Sequence, residues 1–357
     1  MSKIKTRILI ISDTHGASPV LPSSPTDNDL DDDFATADLR TVITGYRHPL
    51  PSADVVLHCG DLTKRSTLSE FKATFSMLRG LQAPSKLVIA GNHDSLLDPA
   101  FDLDSEDDSE ADEVEDLGRL IKDAEQDGVR YLTEGTHDFT LQNGAALKVY
   151  ASPYTPSYGS WGFQYSGDHE FAVPRGVDVA MTHGPPYGIL DETGVGQCVA
   201  AGRQPEHAGC KYLFGAVARA KPQIHCFGHI HEAWGAYHCA WAADGAALAN
   251  TASLPRREHV VDGSKSRVVH TIGELKPMTR AGTSMPSPEA RKMLSGLSRQ
   301  RGVKLDLTDE RTLVEPGKHT LFLNAAIMDI RYRPSQLPWI IDIDLPQAQR
   351  DVPAGPT

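Results

Sequence analysis

Cysteine is scarce in this sequence. There are five in 357 residues, at positions 59, 198, 210, 226 and 239, and no two form a CxxC pair. That pattern excludes a zinc ribbon and a disulfide scaffold and suits a reducing compartment. Long hydrophobic runs are missing as well. No stretch approaches the roughly 20 apolar residues that cross a bilayer. The opening MSKIKTRILIISDTHG has one short apolar run that ends directly in a polar motif. It reads as a first strand, too short for a signal peptide and without a cleavage site. A cytoplasmic location with no membrane association is expected. Positive charge is the third deficit: 35 Lys and Arg stand against 47 Asp and Glu, a formal net charge of -12. An acidic chain is a poor non-specific binder of nucleic acid polymers or anionic membranes. A small phosphorylated substrate drawn in by metal ions is compatible with that balance.

What is present is a 40% hydrophobic chain long enough for one large α/β domain or two modest ones. Short β-rich apolar runs occupy residues 7–12, 54–58, 86–90, 177–182 and 223–227. Nearly continuous apolar strands of this kind are buried on both faces. Helical candidates lie between them at residues 67–81, with Leu68, Phe71, Phe75 and Leu78 on one face, and at 114–126 and 210–220. Strands alternating with helices predict an α/β layered sheet. Residues 320–330 and 339–345 read as strands returning to that core. Two segments stand apart. Residues 102–116, DLDSEDDSEADEVED, read as a solvated, disordered acidic insertion, with docking of a protein partner as the lesser reading. Residues 256–318 are polar, rich in Lys and Arg, and read as a second insertion holding one helix from Ser287 to about Gln300. The expected organisation is one domain over residues 1–347, interrupted twice, with a flexible tail at 348–357.

Each apolar run ends in a short polar cluster: Asp13-Thr14-His15, Gly60-Asp61, Gly91-Asn92-His93-Asp94, His183-Gly184 and Gly228-His229-Ile230-His231. Open α/β sheets place their sites just beyond such strand ends. In an extended strand end, residues i and i+2 point the same way, so Asp13 and His15 can converge on one divalent ion, and His229 and His231 likewise. Gly60 allows a tight turn that leaves the Asp61 carboxylate free to reach two ions. Asn92 offers an amide oxygen and His183 a further imidazole. Mixed carboxylate and imidazole donors suit manganese, iron or zinc rather than calcium. Two such ions about 3.5–4 Å apart activate a hydroxide and clamp a phosphate. His93, beside Asn92, is placed to protonate the leaving alkoxide. Asp94 either orients His93 or caps the following turn.

These clusters resemble the calcineurin-like metallophosphoesterase superfamily, with its D-x-H, GD, GNH, H and GHxH blocks in order. VYASPYTPSYGSWGFQY from Val149, THGPPYGILD from Thr182, FGHIHEAWG from Phe227 and LNAAIMDIRYRP from Leu323 are closer to one branch, the eukaryotic metallophosphoesterase-domain-containing proteins. The resemblance implies a four-layer αββα sandwich carrying the two insertions. It implies a metal-dependent phosphodiesterase with two divalent ions, manganese first and iron or zinc as alternatives. By motif, Asp13, His15, Asp61 and His231 hold the first ion. Asp61, Asn92, His183 and His229 hold the second, with Asp61 bridging and His93 as general acid. Some relatives in the branch lack the first His of GHxH and are weak enzymes; His229 is present here. Ser/Thr protein phosphatases carry GDxxDR, where the second Asp steadies the catalytic His. This chain has Lys64 at that place.

The expected activity is therefore hydrolysis of a small phosphodiester such as a cyclic nucleotide. The alternatives are a phosphomonoesterase or protein phosphatase on the same fold, a nuclease, and a non-catalytic scaffold. His58, His225, Cys59 and Cys226 lie in or beside apolar strands and read as core residues. Tyr154, Tyr158, Trp161 and Phe163 read first as packing, with stacking on a substrate base as the lesser reading. Arg331 and Arg333 are either phosphate contacts or surface ion pairs.

Overall fold

The computed structural model describes residues 2–21, 46–101, 108–194, 198, 204–243, 254–272, 278–279, 282–283, 287–309 and 314–349. Its longer strands are β1 (Lys3–Ile11), β2 (Val55–His58), β3 (Ser85–Val88), β4 (Val129–Tyr131), β5 (Gly135–Thr140), β6 (Ala146–Ser152), β7 (Val179–Thr182), β8 (Ile224–Phe227), β9 (Gly235–Ala240), β10 (Arg267–Thr271), β11 (Val303–Asp306), β12 (His319–Asn324) and β13 (Trp339–Pro346). Four longer helices are α1 (Leu68–Arg79), α2 (Asp108–Ala124), α3 (Lys211–Ala220) and α4 (Pro288–Gln300).

Two sheets hold all thirteen of these strands. One has six strands in the order β11-β13-β1-β2-β3-β4, and the other seven in the order β10-β9-β12-β8-β7-β6-β5. In β1, side chains alternate between two cores, as the period-two pleat requires. Ile8 and Ile10 join Val55, Leu57 and Leu87 against Leu147, Val149, Val179, Met181, Ile224 and Leu323 of the other sheet. Leu9 and Ile11 face the other way, onto Phe71, Phe75 and Leu78 of α1 and Leu117 of α2. On the far side of the second sheet, Tyr150, Phe227 and Phe322 meet Leu213, Phe214 and Val217 of α3. The layers therefore run helix, sheet, sheet, helix, the αββα sandwich. No helix among the described residues is long and apolar enough to cross a membrane.

α1 starts where its sequence sets the start. Thr67 and Glu70 form a capping box, each side chain accepting from the other's backbone N–H. α3 is capped by Cys210, whose sulfur accepts from the Leu213 N–H.

Two composition-based expectations change. Residues 108–116 of the acidic run are helical and continue without a break into the rest of α2. Leu117 is buried, and Leu120 and Ile121 pack beside it, so an apolar stripe holds the helix down despite its charge. Residues 102–107 lie outside the described residues. The stretch 256–318, read as an insertion with one helix, also gives each sheet an edge strand. β10 pairs antiparallel with β9, and β11 pairs parallel with β13. Edge pairing depends on distant partners, which local composition does not reveal. Of the tail, residues 350–357 lie outside the described residues.

β1, β2 and β3 run parallel in one sheet, and β7 and β8 run parallel in the other. A bridge between Ser12 and Ala326 joins the ends of the two sheets. All five polar clusters follow the C-terminal ends of these strands and meet along that seam.

Candidate metal centre

The strand ends are laced together by backbone bonds. Asp13 N–H donates to Gly60 O (2.9 Å), His15 N–H to Asp61 O (3.0 Å) and Gly228 N–H to His183 O (3.0 Å). Asp13, His15, Asp61 and His229 all have φ between 44° and 68°, in the left-handed region that non-glycine residues rarely enter. This corrects the strand-alternation argument. Asp13 and His15 converge because two left-handed residues kink the chain just past β1, not because an extended strand presents them. His229 kinks the GHxH loop in the same way, and its N–H donates to both Asp13 carboxylate oxygens (2.9 and 3.1 Å). Backbone strain of this kind costs on the order of 1–3 kcal/mol per residue and concentrates at functional sites.

Asp13, His15, Asp61 and His231 bring one donor atom each to within 4.8 Å of one another. His15 Nε2 lies 3.3 Å from His231 Nε2 and 3.5 Å from Asp61 Oδ2, and His231 Nε2 lies 3.4 Å from Asp13 Oδ1. On the other side of Asp61, its Oδ1 is 3.3 Å from His183 Nε2, which is 3.0 Å from Asn92 Oδ1. The His229 ring stands edge-on to the His183 ring, centroids 4.9 Å apart. Asp61 thus lies between two donor groups, one carboxylate oxygen toward each.

The tautomers follow from the backbone. Nδ1 of His15 faces Thr63 O (2.8 Å), Nδ1 of His183 faces Cys59 O (2.9 Å) and Nδ1 of His231 faces Asp329 O (3.2 Å). A carbonyl only accepts, so each Nδ1 carries a proton, and whenever the ring is neutral its Nε2 presents a lone pair to the centre. Lone pairs facing one another and two carboxylates repel unless a cation lies among them. Burial pushes the His15 imidazole down to about 3 and lowers His183. Burial, then the His183 ring, holds His229 well below its ordinary range. Burial pushes Asp61 well above the usual carboxylate range, and the Asp13 charge adds to it. Burial also opposes ionisation of Asp13, but His231, His183 and His15 outweigh it and hold that carboxyl low. His231 is the exception: burial opposes its charge, but its bond to Asp13 and that carboxylate's charge outweigh this and push it up. Imidazoles and crowded carboxylates in a dry site are a donor set for divalent metal. The residues present fit such ions.

His93 sits at the rim. Its N–H donates to Asp61 Oδ1 (2.9 Å), and its Nδ1 faces Lys64 O (2.9 Å). The backbone of Lys64 therefore fixes the ring. Asp94 does not touch the imidazole. Its carboxylate accepts from Leu62 N–H (3.0 Å), Thr63 N–H (2.9 Å), Thr63 Oγ1 (2.7 Å) and Gly91 N–H (2.8 Å). It fills neither of its two expected roles: its side chain makes no capping bond to the turn that follows, and it instead ties the Gly91 turn to the Leu62–Thr63 loop, away from residues that could meet substrate.

Three exposed aromatic rings surround the opening. Trp161, 40% exposed, lies 4.2 Å from the His93 ring. Tyr158, 58% exposed, stands 5.4 Å from His229. Tyr332, 38% exposed, lies 4.9 Å from His15 and 5.3 Å from His231, with Lys64 Nζ 4.7 Å from its centre. The sequence reading missed Tyr332; its signal was an aromatic between Arg331 and Arg333. Arg333 forms an ion pair with Asp329 (2.6 Å), so it braces the loop whose carbonyl orients His231. His58 and His225 are fully buried, each bonded at Nε2 to a threonine hydroxyl, Thr14 and Thr182 respectively (2.9 Å).

The calcineurin-like phosphoesterase family model matches residues 6–233, more than half of the chain and all of these clusters. The chain belongs to the calcineurin-like phosphoesterase family. Human metallophosphoesterase domain-containing protein 1 is 33% identical over 198 residues, covering 52% of this chain and 56% of that protein. A protein named probable rhamnogalacturonate lyase C from Emericella nidulans is 31% identical over 197 residues, 54% of this chain but 16% of that protein. The chain thus spans little more than half of the first relative and a small part of the second. Purple acid phosphatase PPD1 from yellow lupin superposes with a TM-score of 0.33 at 13% identity, covering 68% of this chain and 40% of that one. This calcineurin-like phosphoesterase also relies on residues beyond the family match. Asp329, Tyr332 and strands β12 and β13 all follow residue 233.

Proposed function

We propose that this protein is a metal-dependent phosphodiesterase acting on a small phosphodiester, with a cyclic nucleotide as the leading substrate type. The observation that carries the reading is Asp61, set between two donor groups with one oxygen toward each. Asp13, His15, Asp61 and His231 would hold one divalent ion, and Asp61, Asn92, His183 and His229 the other. Manganese suits this mixture of carboxylate, imidazole and amide donors. When bound, the two ions supply Lewis acidity toward the phosphate and a water acidic enough to attack it.

The chain's own residues supply the rest. In its imidazolium form His93 keeps Nδ1–H on the Lys64 carbonyl. Nε2–H is then the proton free for the departing oxygen. Asp94 fixes the turn that carries both Asn92 and His93. Trp161 beside His93 offers a flat face to an aromatic leaving group or base. A rim of three rings and the Lys64 ammonium, with Arg333 engaged by Asp329, matches the single charge of a diester better than a monoester dianion. Five free cysteines support a cytoplasmic location.

The test is paired hydrolysis of bis(p-nitrophenyl) phosphate and p-nitrophenyl phosphate with Mn²⁺, for wild type, His93→Ala and Asp61→Ala. Diester-preferring turnover that collapses in both variants is expected. Monoester preference would move the assignment to a phosphomonoesterase. No turnover of either compound would sink the enzymatic reading.

A further inference from the structure

Asn92 and His183 face each other in a way that is stable only if something fixes the amide. His183 Nδ1–H is held by Cys59 O, so its Nε2 presents a lone pair to Asn92 Oδ1 at 3.0 Å. Turned over, the amide would place Nδ2 against that lone pair and close the second metal position with an ordinary hydrogen bond. The group that decides between these orientations is Tyr158. Asn92 Nδ2 lies 3.0 Å from the Tyr158 hydroxyl oxygen and donates to it. A hydroxyl that accepts from an amide keeps its own proton for another partner. Tyr158 is 58% exposed and stands beside the His229 ring.

The backbone holds Tyr158 in this place. Thr155 N–H donates to Phe163 O (2.9 Å), Ser157 N–H to Tyr165 O (3.0 Å) and Gly162 N–H to Asn92 O (3.0 Å). The loop is therefore tied to itself and to the residue whose amide Tyr158 orients.

We propose that Tyr158 is a positioning residue: it holds the Asn92 amide with its oxygen toward the second metal position and turns its own hydroxyl proton toward a non-bridging oxygen of the bound phosphate. The proposal rests on the two-metal reading above. It also explains why the loop carries an exposed tyrosine rather than a buried packing residue at 158.

The experiment titrates the metal-free full chain with Mn²⁺ by calorimetry, then titrates the Mn²⁺-saturated protein with inorganic phosphate. Wild type takes two Mn²⁺. Tyr158→Phe keeps the ring and removes the hydroxyl. It is expected to leave the tighter Mn²⁺ site unchanged and to weaken the second by about tenfold or more, the usual effect of losing a partner to a metal ligand. Phosphate binding should weaken by about tenfold. A carboxylate has no wrong orientation, so in an Asn92→Asp background the same change should no longer affect the second Mn²⁺ site. Tyr158→Phe protein with both Mn²⁺ affinities at wild-type level overturns the proposal, whatever phosphate does. Wild type that binds a single Mn²⁺ overturns the two-metal reading itself.

Discussion

Asp94 has four donors and no contact with the imidazole next to it in sequence. Asp94→Ala would leave the N–H groups of Leu62, Thr63 and Gly91 without their buried acceptor. A loss of more than about 2 kcal/mol in chemical denaturation is expected, together with weaker Mn²⁺ binding as the turn loosens. Inactivation at unchanged stability would instead put Asp94 in the chemistry. Gly228 is a second residue whose role is steric. A methyl group there would overlap the Asp13 carboxylate and the Ser12 hydroxyl. Gly228→Ala should lower Mn²⁺ affinity and cost roughly 1–3 kcal/mol of stability, and wild-type Mn²⁺ affinity would contradict that packing. The candidate ligand residues could be picked out in the sequence because their side chains are themselves the chemistry. The residues around them were not. Lys64 acts through its carbonyl, which every residue has. Tyr332 arrives from more than two hundred residues beyond Asn92.

At the scale of elements, α1 connects stability to the site. Glu70 closes the capping box and also accepts from Lys64 N–H (3.3 Å) and Arg65 N–H (3.0 Å). It thereby holds the peptide whose carbonyl orients His93. Glu70→Ala should cost about 1 kcal/mol as a lost cap, and it should lower kcat while leaving Mn²⁺ affinity alone. Thr67→Ala removes the cap but keeps Glu70, and should lower stability with a smaller effect on kcat. Equal kcat losses in the two variants would contradict this coupling. The positions of α1, α3 and the strands preceding each cluster could be read from local pattern, because their apolar periodicity is strong. β10 and β11 could not, because a short edge strand is defined by the neighbour it joins. The acidic half of α2 was hidden for a different reason: its charge suggested disorder, while the stripe that holds it lies at Leu117, Leu120 and Ile121.

For the molecule as a whole, the two sheets meet at a seam that is both core and site. Trp234 and Trp339 stack across it at 4.6 Å, with their indole N–H groups on Leu337 O and Asn324 O. The same burial makes the fold sensitive to acid. His225 is fully enclosed, and burial holds it down to about 3; His58 is held at about 4 in the same way. Unfolded, a histidine takes its proton near 6.5. Between that value and about 3 the unfolded chain binds the extra proton at residue 225, so stability falls as pH falls. Above 6.5 the contribution is complete, and below about 3 it is gone. From pH 7 to pH 5 this group alone should remove on the order of 2 kcal/mol. His225→Gln should lose correspondingly less over that interval in urea denaturation; equal losses in the two proteins would contradict it. The sandwich was implied by the family resemblance; the residues alone pointed to a layered α/β sheet with its site beyond the strand ends, where the five clusters do meet.

The most direct test of the account is anomalous diffraction at the manganese edge from crystals soaked in Mn²⁺. Two peaks about 3.5–4 Å apart, one on each side of the Asp61 carboxylate, are expected. A single peak, or peaks away from Asp61, would contradict the shared-carboxylate centre on which the functional reading stands.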